Sequence, residues 1–155
     1  MANTFSKIYF HVIFAVQNRL NLISSGVREE MQKYISGIVT NKNQKLISIC
    51  CMPDHTHILL GLKPDIAVST IVRDIKANSS RFINEYRLLK CRFNWQEGFG
   101  VFSCGEGDLD RIIHYITNQE YHHKKRNFKE EYIAILQEYN VAYNEEYLFK
   151  WIAID

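Results

Sequence analysis

Residues 46–62, LISICCMPDHTHILLGL, hold two apolar runs around a Pro53-Asp54 turn signal. That pattern predicts two strands, 46–52 and 55–62, paired as a tight hairpin. Alternate side chains of a strand share a face, so His55 and His57 stand side by side while Thr56, Ile58, Leu60 and Leu62 point the other way. Upstream, Val27, Met31, Tyr34, Ile35 and Ile38 recur at helical spacing. Before them, FSKIYFHVIFAV at 5–16 is apolar on both alternating faces, as a central buried strand is.

Downstream of Pro64 and Asp65 the spacing predicts a second long helix, 67–88, with Val68, Ile71, Val72, Ile75, Phe82 and Tyr86 on its apolar side. GFGVFSC at 98–104 reads as another strand, and Leu109, Ile112, Ile113 and Ile116 as the stripe of a third helix. The order β-α-β-β-α-β predicts an α+β fold of ferredoxin-like or RRM-like type, an antiparallel sheet with helices on one face, followed by a C-terminal helix and tail. The tail adds an amphipathic helix near 129–139 (Tyr132, Ile135, Leu136, Tyr139) and a short strand at 147–152.

With 155 residues and 18.3 kDa the chain is the size of one domain. The expected division is a core over 5–104 and a third helix plus tail over 107–155. Apolar residues at 46% and charged residues at 23% exclude wholesale disorder and fibrous repeats. No apolar run reaches the ~18 residues that span a bilayer, and the N-terminal stretch lacks signal-peptide features, so a cytoplasmic protein without membrane contact is expected. Cys50, Cys51, Cys91 and Cys104 form no CxxC pair and read as reduced core cysteines.

Two constellations could carry chemistry. His55 and His57 offer neighbouring imidazoles, a start on a metal site or simply two satisfied histidines. Tyr115 and Gln119 are one helical turn apart, so phenol and amide share a face, either as functional groups or as an ordinary tyrosine beside a surface glutamine. Taken together, two nitrogens and an amide oxygen leave open positions for substrate oxygens. Such a set suits Mg²⁺ or Mn²⁺, with imidazole favouring Mn²⁺, and Zn²⁺ would also bind. A phenol beside them could attack a polarised phosphate, although its ordinary pKa of about 10 demands activation.

These residues resemble the HUH single-tyrosine transposases of the smallest bacterial insertion sequences and their repeat-associated relatives. The matching pieces are YFHVIFAVQNR at 9–19, CMPDHTHILLGLKP at 51–64, IVRDIKANSSRFIN at 71–84, FNWQEGFGVFS at 93–103 and YITNQEYHHKKRNFKEEY at 115–132. The resemblance implies that His55, His57 and Gln119 hold a divalent metal and that Tyr115 is the nucleophile. Where that family has a hydrophobic residue between the histidines, this chain has Thr56. The implied reaction is transesterification of single-stranded DNA at hairpin-marked element ends through a 5′-phosphotyrosine. A homodimer whose tyrosine acts in trans is implied as well. A domesticated relative that nicks or joins hairpin DNA would share all of these features.

Lys124, Lys125, Arg126 and Lys129 form a basic run with His122 and two aromatic rings, and an acidic tail follows, so the net charge of +2 conceals sorting. The run can bind phosphate and stack bases, or complement a helix C-terminus. His122, Lys124, Lys125 and Arg126, and on the second helix Lys76, Asn78, Ser79, Ser80 and Arg81, are the candidate DNA contacts. His11 and His114 read as structural, and Tyr121 is a rival nucleophile pointing away from the Tyr115 face. An RNA-recognition module shares the β-α-β-β-α-β order and the GFGVF aromatic run, but Glu97 stands where its signature wants a basic residue, and it leaves the His pair unexplained.

Overall fold

A computed structural model describes residues 3–144 and Leu148. Four strands, β1 (Tyr9–Ala15), β2 (Lys45–Cys51), β3 (His55–Gly61) and β4 (Gly100–Cys104), form one antiparallel sheet in the order β2-β3-β1-β4. Helices α1 (Ser25–Asn41) and α2 (Val68–Glu85) are the two crossovers, which gives the expected split βαβ topology. β1 and β3 occupy the centre, and both are buried along nearly their whole length. The first strand is shorter than expected, since Phe5 lies exposed ahead of it.

Strand alternation divides the core in two. Val12, Phe14, Ile58 and Leu60 face α1 and α2, packing against Met31, Ile35, Ile71 and Ile75. The opposite parity carries His11, Ile13 and Ala15 on β1 and His55, His57 and Leu59 on β3, with Ile13 opposite His57 and Ala15 opposite His55. This second face is closed by α3 (Leu109–Thr117), whose Ile112 and Ile116 pack on Cys50, Met52 and Leu59, and by α5 (Phe128–Glu138), whose Phe128, Tyr132, Ile135 and Leu136 pack on Ile13, Ala15 and Phe102. Helices therefore cover both faces, the crossover pair one and the C-terminal helices the other. An RNA-recognition module would need that second face open for bases.

The tyrosine-bearing helix is not continuous. α3 ends at Thr117, Asn118 leaves helical geometry (φ −102°, ψ 25°), and a short α4 (Gln119–His123) resumes. Asn127 then caps α5 by accepting from the Glu130 amide at 2.9 Å. The strand expected at 147–152 lies outside the described residues except for Leu148, whose backbone is helical. Cys50 and Cys51 are buried on opposite faces as expected, but Cys91 is exposed and Cys104 only half-buried, so these two are not core residues.

Gly100 sits where α5 approaches β4, and a Cβ there would collide with the Tyr132 hydroxyl and crowd the Phe102 ring. Gly100→Ala is expected to cost about 1–3 kcal/mol through overpacking. Thermal unfolding would show it as a lowered Tm, and an unchanged Tm would mean that α5 is not seated on β4 as described.

Candidate active site

The site forms in the seam between α3, α4 and α5 over the centre of the sheet. His55 and His57 are both fully buried. Asp54, in the hairpin turn, lies with its Oδ1 2.7 Å from His55 Nδ1, and the His55 ring stacks on Phe128 at 3.9 Å between centroids. His57 Nδ1 meets His11 Nε2 at 2.9 Å, since the β1–β3 register makes these two diagonal neighbours. Thr56 is buried on the α1 side, opposite Cys51, so the departure at this position touches packing behind the site.

Glu131 of α5 is the centre of the cluster and is fully buried. Its Oε1 lies 3.1 Å from His57 Nε2, 3.2 Å from His123 Nε2 and 3.7 Å from His55 Nε2. Its Oε2 accepts a hydrogen bond from the Tyr115 hydroxyl. Burial works against ionisation, but hydrogen bonds to His123 and His57 hold the Glu131 carboxyl far below the usual carboxylate range. The same carboxylate adds to burial in pushing the Tyr115 phenol well above its ordinary value.

Gln119 is fully buried rather than at the surface. Its Nε2 donates to the Tyr115 carbonyl at 3.3 Å and its Oε1 lies 3.0 Å from His123 Nε2. The phenol and the amide thus reach one cluster despite the helix break. Tyr115 meets the histidines of its own chain, its ring 5.9 Å from that of His57 and stacked on His122. Tyr121 is exposed beneath Lys125 and lies away from the cluster.

A cavity of about 90 Å³ opens beside Tyr115, lined among others by His11, Arg111 and Arg126. Of the basic run, Lys124 and Lys125 are exposed and His122 is held against Tyr115. The α2 group lies across the sheet from the His pair. Lys76 donates to the carbonyls of Gln96 and Gly98 at 2.6 and 2.9 Å, Ser79 is buried and accepts from the Trp95 indole at 2.9 Å, and Ser80 donates to the Lys76 carbonyl. Asn78 accepts from Arg81, and that arginine is exposed.

Glu131, His123, Asp54 and the pairing role of His11 escape sequence reasoning. One signal for Glu131 was available: it stands three residues after Phe128 and four before Ile135, an acid inside an apolar stripe.

Burial pushes the imidazoles of His11 and His55 down to about 3 and about 4. Unfolded histidines take up a proton near pH 6.5, so below that pH the unfolded chain binds more protons and stability falls as acid is added. In chelator, Tm is expected to drop by at least about 5 °C from pH 7 to pH 4.5. A flat profile would contradict neutral, buried imidazoles.

Residues 4–119 match the model of a family described as "Transposase IS200 like". The chain belongs to the IS200-like transposase family. It is 25% identical over 118 residues to the ISDra2 transposase TnpA of Deinococcus radiodurans, covering 73% of this chain and 84% of that one. To the IS200 transposase of Salmonella typhimurium it is 26% identical over 124 residues, 77% and 81% of the two chains. Among solved structures, a transposase from D. radiodurans superposes with a TM-score of 0.63 at 25% identity, covering 77% of this chain and 95% of the other. A REP-associated tyrosine transposase bound to a REP hairpin has a TM-score of 0.58 at 18% identity, covering 79% and 74%, and shares the fold. As an IS200-like transposase, the chain is a DNA-cleaving and strand-transferring enzyme. Among its described residues no helix is long and apolar enough to cross a membrane.

Proposed function

We propose that this transposase cleaves and rejoins single-stranded DNA at hairpin-marked ends, with Tyr115 as nucleophile. The observation that carries the reading is that the Tyr115 hydroxyl and the His57 nitrogen converge on one buried carboxylate, Glu131. The phenolic oxygen attacks phosphorus, the bond to the O3′ leaving group breaks, and the DNA 5′ end stays on Tyr115 while a 3′-OH departs. The phenolic proton already lies against Glu131 Oε2, which supplies its way out, and the leaving oxygen takes up a proton. Attack by a 3′-OH on the phosphotyrosine reverses the step and reseals DNA without an external energy source.

The donor set fits a divalent ion, because His55 Nε2 is fully buried and lacks a hydrogen-bond partner although it faces the cluster. His55, His57 and Gln119 would hold Mg²⁺ or Mn²⁺, which when bound supplies Lewis-acid polarisation of the phosphate. Lys124 and Lys125 guide the strand toward Arg126 and the cavity beside Tyr115. Asn78 and Arg81 offer a second contact for a hairpin across the sheet, while Lys76, Ser79 and Ser80 are taken up by the fold. The whole of 1–155 acts as one domain, core 5–104 with the tyrosine helix and tail 107–155. A homodimer with a trans-acting tyrosine belongs to the same reading, and within one chain the Tyr115 hydroxyl already reaches Glu131 beside His57.

The test uses single-stranded hairpin DNA from both sides of the coding sequence, incubated with protein and Mn²⁺. A protein–DNA adduct that survives denaturation, with the phosphoryl group mapped to Tyr115 by mass spectrometry, is the expected result. Adduct at any other residue sinks the assignment.

A further inference from the structure

The segment that matches the family ends at Gln119, yet the cluster draws on two residues beyond it, His123 on α4 and Glu131 on α5. Three imidazole nitrogens crowd one carboxylate oxygen in a way that hydrogen bonding alone does not explain. His55 Nδ1 is held by Asp54, which fixes the proton on that nitrogen and leaves Nε2 as a lone pair. That lone pair is buried, has no hydrogen-bond partner and lies 3.7 Å from Glu131 Oε1. Two buried acceptors facing each other are unfavourable unless a cation lies among them.

We infer that His123 and Glu131 are metal ligands alongside His55 and His57, giving a centre of three imidazoles and one carboxylate that prefers a transition-metal ion such as Mn²⁺ or Zn²⁺ to Mg²⁺. The four ligand atoms lie within 4.8 Å of one another. Donors about 2.0–2.2 Å from a shared ion stand roughly 3–4 Å apart, so little adjustment is needed. Imidazole nitrogens suit first-row transition metals, whereas Mg²⁺ favours oxygen and water. Gln119 Oε1 is against His123, which makes the amide a positioning group for that imidazole. Glu131 then has two tasks, Oε1 toward the ion and Oε2 toward the Tyr115 hydroxyl, so the metal centre and the nucleophile are tied by one side chain.

The inference rests on the metal-assisted reading above but puts His123 and Glu131 in the ligand set in place of Gln119, and it is tested by binding, without catalysis. The metal-free full chain and its Glu131→Gln, His123→Ala and Gln119→Ala variants are titrated with MnCl₂, ZnCl₂ and MgCl₂ by calorimetry, with Mn²⁺ electron paramagnetic resonance as a second readout. The unaltered chain is expected to bind Mn²⁺ at least about 100-fold more tightly than Mg²⁺. Glu131→Gln and His123→Ala should each weaken Mn²⁺ at least about tenfold, and Gln119→Ala by less than about threefold. Mn²⁺ affinity kept in both of the first two variants, or lost in Gln119→Ala alone, overturns the inference and leaves a His55, His57 and Gln119 centre standing. No Mn²⁺ or Zn²⁺ binding by the unaltered chain overturns the metal centre itself. Circular dichroism checks folding; should Glu131→Gln unfold, His123→Ala decides, because that side chain is 15% exposed and supports less of the core.

Discussion

Tyr115→Phe is expected to abolish the covalent adduct with single-stranded DNA, lowering cleavage by at least about 10³-fold, while hairpin binding persists. Phenylalanine keeps the ring stacked on His122 and edge-on to His11 and His57, so the shape of the seam survives. What disappears is the oxygen proposed to attack and the hydrogen bond to Glu131. Losing a partner to that buried carboxylate costs about 1–3 kcal/mol, read as a modest fall in Tm, though His57 and His123 still face it. Adduct formed at the same yield by the variant would move the nucleophile elsewhere, with exposed Tyr121 the first place to look.

His57→Ala is expected to remove metal-dependent cleavage, by about 10²-fold or more, and to leave hairpin affinity within about twofold. The separation follows from burial: His57 is fully enclosed and offers DNA no surface, whereas Lys124 and Lys125 are exposed. The variant also strips a partner from both His11 and Glu131, so a lowered Tm accompanies the loss. Comparison with the unaltered protein in chelator separates the two causes. Cleavage that is equal with and without metal, or hairpin binding that falls along with cleavage, would contradict this division of labour.

The fold was legible because its determinants are local. Alternation over 55–62 places His55 and His57 on one face and Ile58 and Leu60 on the other, and the register with β1 bears this out. Helical spacing likewise finds the docking stripe of Ile112 and Ile116. Where local rules competed, they misled: Asn118 breaks the helix that spacing extends through Gln119, and Gln119 is buried among polar partners rather than exposed. The loop that carries Trp95 and Gln96 folds back onto α2 and takes the hydrogen bonds of Lys76 and Ser79, which no local pattern records.

By itself the sequence determined the strand and helix order, the pairing of the two histidines and the place of Tyr115 one turn before Gln119, since each depends on neighbours two to four residues apart. Only the tertiary structure decided that a helix near the C-terminus covers the second sheet face and brings Glu131, 74 residues along the chain, to His57. A side chain's partners across such a distance follow from how whole helices dock, and periodicity records which face a helix buries but not what it is buried against.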